Sequence, residues 1–166
     1  TSFNFTTPAA IGVINEGAKT IAVTVPYGTD LTSLVPTIAI SGSSISPLSD
    51  VAQDFTSPVA YTVTAADSST QAYVVTVTTA LNPAKEITAF SLLGEIGVIN
   101  EGAKTIAVTV PYGTNVTALA PILTVTGASV NPASGVVQDF TNPVTYTVTA
   151  ADATTHIYTV TVTVAA

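Results

Sequence analysis

Residues 11–29 read IGVINEGAKTIAVTVPYGT, and residues 96–114 repeat the same letters 85 positions later. The offset then persists to the end of the chain. Asp54-Phe55-Thr56 meets Asp139-Phe140-Thr141, the run Tyr61 to Asp67 meets Tyr146 to Asp152, and Tyr73 meets Tyr158. Aligned as 1–81 against 86–166, the halves share 48 of 81 residues. A repeat of this length settles the architecture before any local reading, because each copy must be one structural unit. The 166 residues therefore divide into a first unit at 1–80, a short linker at 81–85 and a second unit at 86–166. A unit of this size buries only about 60% of its unfolded surface, so support from a neighbour is expected.

Within a unit the dominant period is two. Ile21, Val23 and Val25 alternate with Thr20, Ala22 and Thr24, and Pro26-Tyr27-Gly28-Thr29 ends that strand in a turn. Strands are expected around Phe5 (aligned with Phe90), over 35–41, and in short pieces over 43–55. Two more are expected over 59–66, with Tyr61, Val63 and Ala65 inward, and over 71–79, with Tyr73, Val75 and Val77 inward. No segment carries a 3.6-residue period. About seven short strands in 80 residues read as a β-sandwich, so the expected fold is all-β: two tandem immunoglobulin-like antiparallel β-sandwich domains. Pro83 sits in the short connection, and the two modules are expected to follow one another as a semi-rigid rod.

Composition excludes several partners. Charged residues are 8% of the chain, the net charge is −7, and the basic residues are Lys19, Lys85 and Lys104 alone. Three scattered lysines form no phosphate-binding patch, which argues against nucleic acid and against anionic membrane surfaces. No apolar run is long enough to insert into a bilayer as a helix. Threonine supplies 31 residues, which suits pleated, half-buried surfaces. Cysteine is absent, so no disulfide framework exists. The chain opens on Thr1 without a signal-peptide pattern, as a mature product or a fragment does.

The run GAKTIAVTVPYGT, a central Ser-Pro, DFT-x-PV-x-YTVTAAD and a closing Y-x-VTVT resemble the bacterial immunoglobulin-like and cadherin-like β-sandwich repeats of large surface proteins and adhesins. Similar modules occur in S-layer-associated proteins and outer-surface glycan-binding lipoproteins. The resemblance implies a spacer, stalk or adhesion role at the cell surface or outside the cell.

The residues offer little chemistry. Nucleophilic catalysis needs a base beside the nucleophile, and the only imidazole, His156, is matched by Gln71 in the other unit. His156 reads as a polar strand-end residue whose tip reaches solvent. No catalytic residue, cofactor or enzymatic role is expected. Asp54/Asp139, Asp67/Asp152 and Glu16/Glu101 recur beside turn residues, where a carboxylate accepts backbone N–H bonds. Calcium at the module junction is the alternative use, with Asp67, Glu86 and Asp152 as candidate ligands. Outward Thr-x-Thr rows such as Thr62/Thr64, Thr76/Thr78, Thr147/Thr149 and Thr159/Thr161/Thr163 suit either a flat lattice or simply a solvated sheet. Tyr27 and Tyr112 at matching turns are the candidates for ligand contact, with turn packing as the other reading. Asn4-Phe5-Thr6 and Asn115-Val116-Thr117 fit the glycosylation sequon, making Asn4 and Asn115 candidate acceptors.

Three functions stay open. The first is a non-enzymatic spacer, stalk or adhesion repeat whose partners are neighbouring modules or other domains of the same chain. The second is a self-assembling subunit of an extracellular filament, a homopolymer sharing strands between neighbours, favoured by an uncharged β-rich surface. The third is a glycan- or protein-binding surface module.

Overall fold

A computed structural model describes all 166 residues. Contacts divide them into unit 1, Thr1–Ala80, and unit 2, Leu81–Ala166. Unit 1 contains β1 (Ser2–Thr6), β2 (Ala9–Ile11), β3 (Val13–Asn15), β4 (Thr20–Val25), β5 (Pro36–Ala39), β6 (Ser44–Ser46), β7 (Val59–Thr64) and β8 (Thr70–Thr79). Unit 2 contains β9 (Ile87–Leu92), β10 (Glu95–Ile96), β11 (Val98–Asn100), β12 (Thr105–Val110), β13 (Ile122–Val125), β14 (Ser129–Asn131), β15 (Val144–Thr149) and β16 (Thr155–Val164).

Each unit has two layers. In unit 1 a three-stranded sheet, β2-β1-β5, accompanies a five-stranded sheet, β3-β4-β8-β7-β6. Unit 2 repeats the plan as β10-β9-β13 and β11-β12-β16-β15-β14. The expectation of a wholly antiparallel sandwich needs one correction: β4 runs parallel to β8, from Thr20 opposite Val74 to Val25 opposite Thr79, and β12 runs parallel to β16. After β4 the chain leaves for the other sheet, and its last strand comes back beside β4 in the same direction.

The cores follow the period-two pattern. Ile21, Val23, Val25, Val75 and Val77 of the larger sheet of unit 1 close on Phe3 and Phe5 of the smaller one, with Phe55 and Tyr61 in the same cluster. The Phe3 ring meets Tyr61 edge-on at 5.3 Å, and Phe55 stacks near-parallel to Tyr61 at 6.4 Å. Tyr61 and Tyr146 are almost fully buried, their hydroxyls have no hydrogen-bond partner, and burial pushes both phenols up to about 12.

The chain switches sheets between β2 and β3, at Gly12. There the Gly12 N–H donates to Phe3 O at 2.8 Å, and a Cβ at this position would lie 2.6 Å from that oxygen. Gly97 N–H donates to Phe90 O in the same way, also at 2.8 Å. These bonds make Phe3, not Phe5, the structural counterpart of Phe90. The edge-on ring contacts agree, Phe3 on Tyr61 and Phe90 on Tyr146. The 85-residue register thus fails ahead of Ile11, because each arm of the β1–β2 hairpin is one residue longer than in β9–β10. Unit 1 turns at Thr7-Pro8 and unit 2 at Leu93-Gly94. Neither β2 nor β3 was expected from sequence, since their apolar residues Ile11 and Val13 point out at the sheet edges, 80% and 71% exposed.

Two substitutions test this core. Tyr61→Phe or Tyr146→Phe removes a buried hydroxyl that bonds to nothing, so either should leave stability unchanged or raise it by about 1 kcal/mol. Gly12→Ala should destabilise unit 1 through the Phe3 carbonyl. Denaturant unfolding of the purified chain checks both, and a Tyr→Phe loss above about 1 kcal/mol would reveal a partner for the hydroxyl.

Candidate functional site

The structure separates the candidate residues by end and by face. At the β4–β5 turn, Gly28 takes φ 77°, Thr29 N–H donates to Pro26 O at 3.2 Å, and its hydroxyl donates to the same oxygen at 2.7 Å. The turn is rigid, yet its aromatic residue does not pack beneath it: Tyr27 is 57% exposed and Tyr112, on the matching turn, 82%. These are two outward phenol rings on fixed supports.

The recurrent carboxylates act locally. Asp67 Oδ1 accepts the Ser69 N–H at 3.0 Å and the Ser69 hydroxyl at 2.6 Å. Asp152 accepts both groups of Thr154, and Asp54 both groups of Thr56. The Ser69 hydroxyl, then its N–H, hold Asp67 below the usual carboxylate range; the Thr154 hydroxyl and N–H do so for Asp152. Glu86 is bonded through its backbone N–H to the Thr126 hydroxyl. No group of three or more His, Asp or Glu side chains that could hold a metal ion gathers in the chain.

The sequon residues differ in setting. Asn4 lies in β1, the central strand of its sheet, with its Oδ1 buried. Asn115 is exposed, and its Oδ1 accepts the Thr117 N–H and hydroxyl at 3.0 and 2.8 Å. His156 stands opposite Val148 on β16, and its Nδ1 is buried without a partner, so that edge of the ring does not reach solvent as expected. The threonine rows pair across the parallel strands, with Thr24 and Thr78 hydroxyls 3.4 Å apart and Thr109 and Thr163 3.1 Å apart.

One arrangement escaped the sequence reading. The β3–β4 turn places Lys19 at φ 54°, and its Nζ donates to Glu16 Oε2 at 2.9 Å while lying 5.4 Å from the Tyr73 ring centre. Tyr73 OH donates to the same Glu16 oxygen at 2.7 Å. Unit 2 builds the same clamp from Glu101, Lys104 and Tyr158, with Tyr158 OH 2.8 Å from Glu101 Oε2. A turn is thereby fastened to the last strand. The Lys19 bond, then the Tyr73 bond, hold Glu16 below its usual value. For Glu101 burial is the largest influence and acts upward, but the bonds from Lys104 and Tyr158 outweigh it and leave the carboxyl lowered.

A depressed carboxyl stabilises the fold above its ordinary value of 4.5, and that stability is lost as pH falls through the lower folded value. Glu101→Gln should therefore flatten the acid limb of the stability profile of unit 2 between about pH 5 and 2. Tyr158→Phe should cost about 1–2 kcal/mol at neutral pH. Denaturant unfolding across pH measures both, and an unchanged acid limb would remove the clamp.

With the geometry in hand, comparison with known proteins assigns the class. The family model described as "SGBP, N-terminal" matches residues 1–77 and again 87–162, once per unit. No curated protein matches the chain. Among solved structures, a protein provisionally assigned as a glycoside hydrolase from Bacteroides thetaiotaomicron is 37% identical over 50% of this chain, with a TM-score of 0.44. The matched part is 26% of that protein, so this chain spans about a quarter of its length. A second structure, provisionally assigned as a secreted protein of Bacteroides fragilis, is 20% identical, with 51% of this chain and 98% of that one covered and a TM-score of 0.40. Both superpositions are loose, and neither assigns an activity. The family match places the chain among glycan-binding or surface modules, with each sandwich accounting for one copy. The chain belongs to the SGBP N-terminal family and carries two tandem copies of its domain.

Proposed function

We propose that the chain is a non-enzymatic spacer from the N-terminal part of a cell-surface or secreted glycan-binding protein, where it extends and spaces a functional domain. The observation that carries this reading is the match of both units to one N-terminal domain family. The internal economy of the units supports it. The same core, turns and carboxylate clamp are built twice, and the recurrent Asp and Glu side chains are spent on turns rather than on a shared cleft. Length is obtained by copying a unit, whereas a private ligand site calls for a difference between copies.

A second reading, direct glycan contact, is favoured by the exposure of Tyr27 and Tyr112. A phenol ring fixed on a short turn offers an apolar face for a sugar ring at little entropic cost. The homopolymer reading rests on uncharged strand faces alone.

Calorimetric titration of the purified chain with soluble polysaccharides separates the first two. The spacer reading predicts no saturable heat. Saturable binding that disappears in the double variant Tyr27→Ala, Tyr112→Ala would replace it with the contact reading. Light scattering over a wide concentration range should show a monomer of 16.7 kDa, and growth with concentration would favour polymerisation.

A further inference from the structure

In unit 2 the chain enters and leaves at opposite ends of one strand. Entry is through Asn82 to Ile87, ahead of the main run of β9. Ala151 N–H donates to Asn82 O at 3.1 Å, and Lys85 Nζ donates to the Thr154 hydroxyl at 2.8 Å. Both partners belong to the turn from which β16 starts at Thr155. Ile87 N–H donates to Tyr158 OH at 3.3 Å, still near that end. Phe90 O then accepts the Gly97 N–H, and the Gly97 position faces Ile106 and Val108, which stand opposite Val160 and Val162. β9 therefore advances along β16 in the same direction.

Exit is at the far end of the last strand. β16 is zipped in parallel to β12, from Thr105 opposite Thr159 to Val110 opposite Val164. Thr159 N–H donates to Lys104 O and Ala165 N–H to Val110 O, both at 2.9 Å. The same exit stands at the internal junction of the chain. In unit 1 β8 is zipped to β4, and Ala80 N–H donates to Val25 O at 2.7 Å just before the chain passes into unit 2. Side chains tie the β12–β16 zip at both ends. The carboxylate clamp of Glu101 and Lys104 holds Tyr158 at its head, and the Thr109 and Thr163 hydroxyls meet at 3.1 Å near its tail.

Tension along the chain pulls β9 backward and β16 forward, each along its own axis. Ladder bonds run across the strands, so such a load shears them, and all the bonds of a ladder carry it together. A load that parts two neighbouring strands from a shared end peels them instead, one bond at a time. Forced unfolding is governed by the unfolding rate rather than by equilibrium stability. A small domain of modest stability is therefore strong when its strands are loaded lengthwise and weak when they are peeled.

We propose that unit 2 is a tension-bearing element, in which the β12–β16 zip and the β9–β13 ladder hold the chain against stretching. This role rests on the spacer reading, since a spacer transmits whatever pull its functional domain receives. The fastened lead-in at Asn82 and Lys85 sets where that pull enters, and the zipped end of β16 sets where it leaves.

The chain has no cysteine, so two introduced thiols serve as defined handles for single-molecule pulling on the full chain. Leu81→Cys with Ala166→Cys loads unit 2 from entry to exit. Tyr112→Cys with Ala166→Cys parts β12 and β16 from their shared end. All three positions are exposed, and unit 1 stays outside the loaded path in both variants. At one pulling speed the entry-to-exit pair should unfold unit 2 at about twice the force of the peeling pair, or more. Equal forces, or a weaker entry-to-exit pair, overturn the proposal. Either result leaves the spacer reading intact, because that reading stands or falls on the polysaccharide titration.

Discussion

Everything in each unit depends on closing a three-stranded sheet over a five-stranded one within about 80 residues. A domain this small has one apolar layer, and each side chain missing from it exposes several others. The layer is built from alternate residues of β4 and β8, against β1, with Phe55 and Tyr61 between. The glycine crossing from β2 to β3 makes closure geometrically feasible, since one segment serves as an edge of both sheets. Any side chain at Gly12 meets the Phe3 carbonyl, so two layers this close require the smallest residue at the corner.

The sequence made much of this legible, for identifiable reasons. The strands β4 and β7 were readable because one face is fully apolar and the other is Thr and Ala, and β8 because Tyr73, Val75 and Val77 alternate with Val74, Thr76 and Thr78. The edges were not. Ile11 and Val13 are apolar residues facing solvent, so pattern reading has no way to orient them, and the glycine between them conceals a change of sheet. The Phe5–Phe90 alignment followed letters, whereas the fold equates Phe3 with Phe90 through a carbonyl bond that letters do not record. The clamp was hidden because Glu16 and Tyr73 are 57 positions apart and meet only when the sandwich closes. The exposure of Tyr27 and Tyr112 was equally illegible, since a turn tyrosine packs or projects according to what lies beneath it.

Charge tells a consistent story. Among the thirteen charged side chains, only Glu95 lies in a strand; the rest occupy turns and connections. The strand faces carry hydroxyl and methyl groups, and the turns carry carboxylates that accept their own backbone and hydroxyl donors. Such surfaces are neutral toward phosphates and lipid headgroups. This fits a family of glycan-binding or surface modules better than any chemistry that needs a charged cleft.

The central physical claim is that each unit is held by closing its small sheet over its large one, with the glycine between the two edge strands at the point of closest approach. Native-state hydrogen exchange on the Gly12→Ala variant, compared with the parent chain and read unit by unit, tests it most directly. The account predicts faster exchange at Val23 and Val75 in the core of unit 1, while Val108 and Val160 in unit 2 keep the protection of the parent. Unchanged protection at Val23 and Val75 would contradict it.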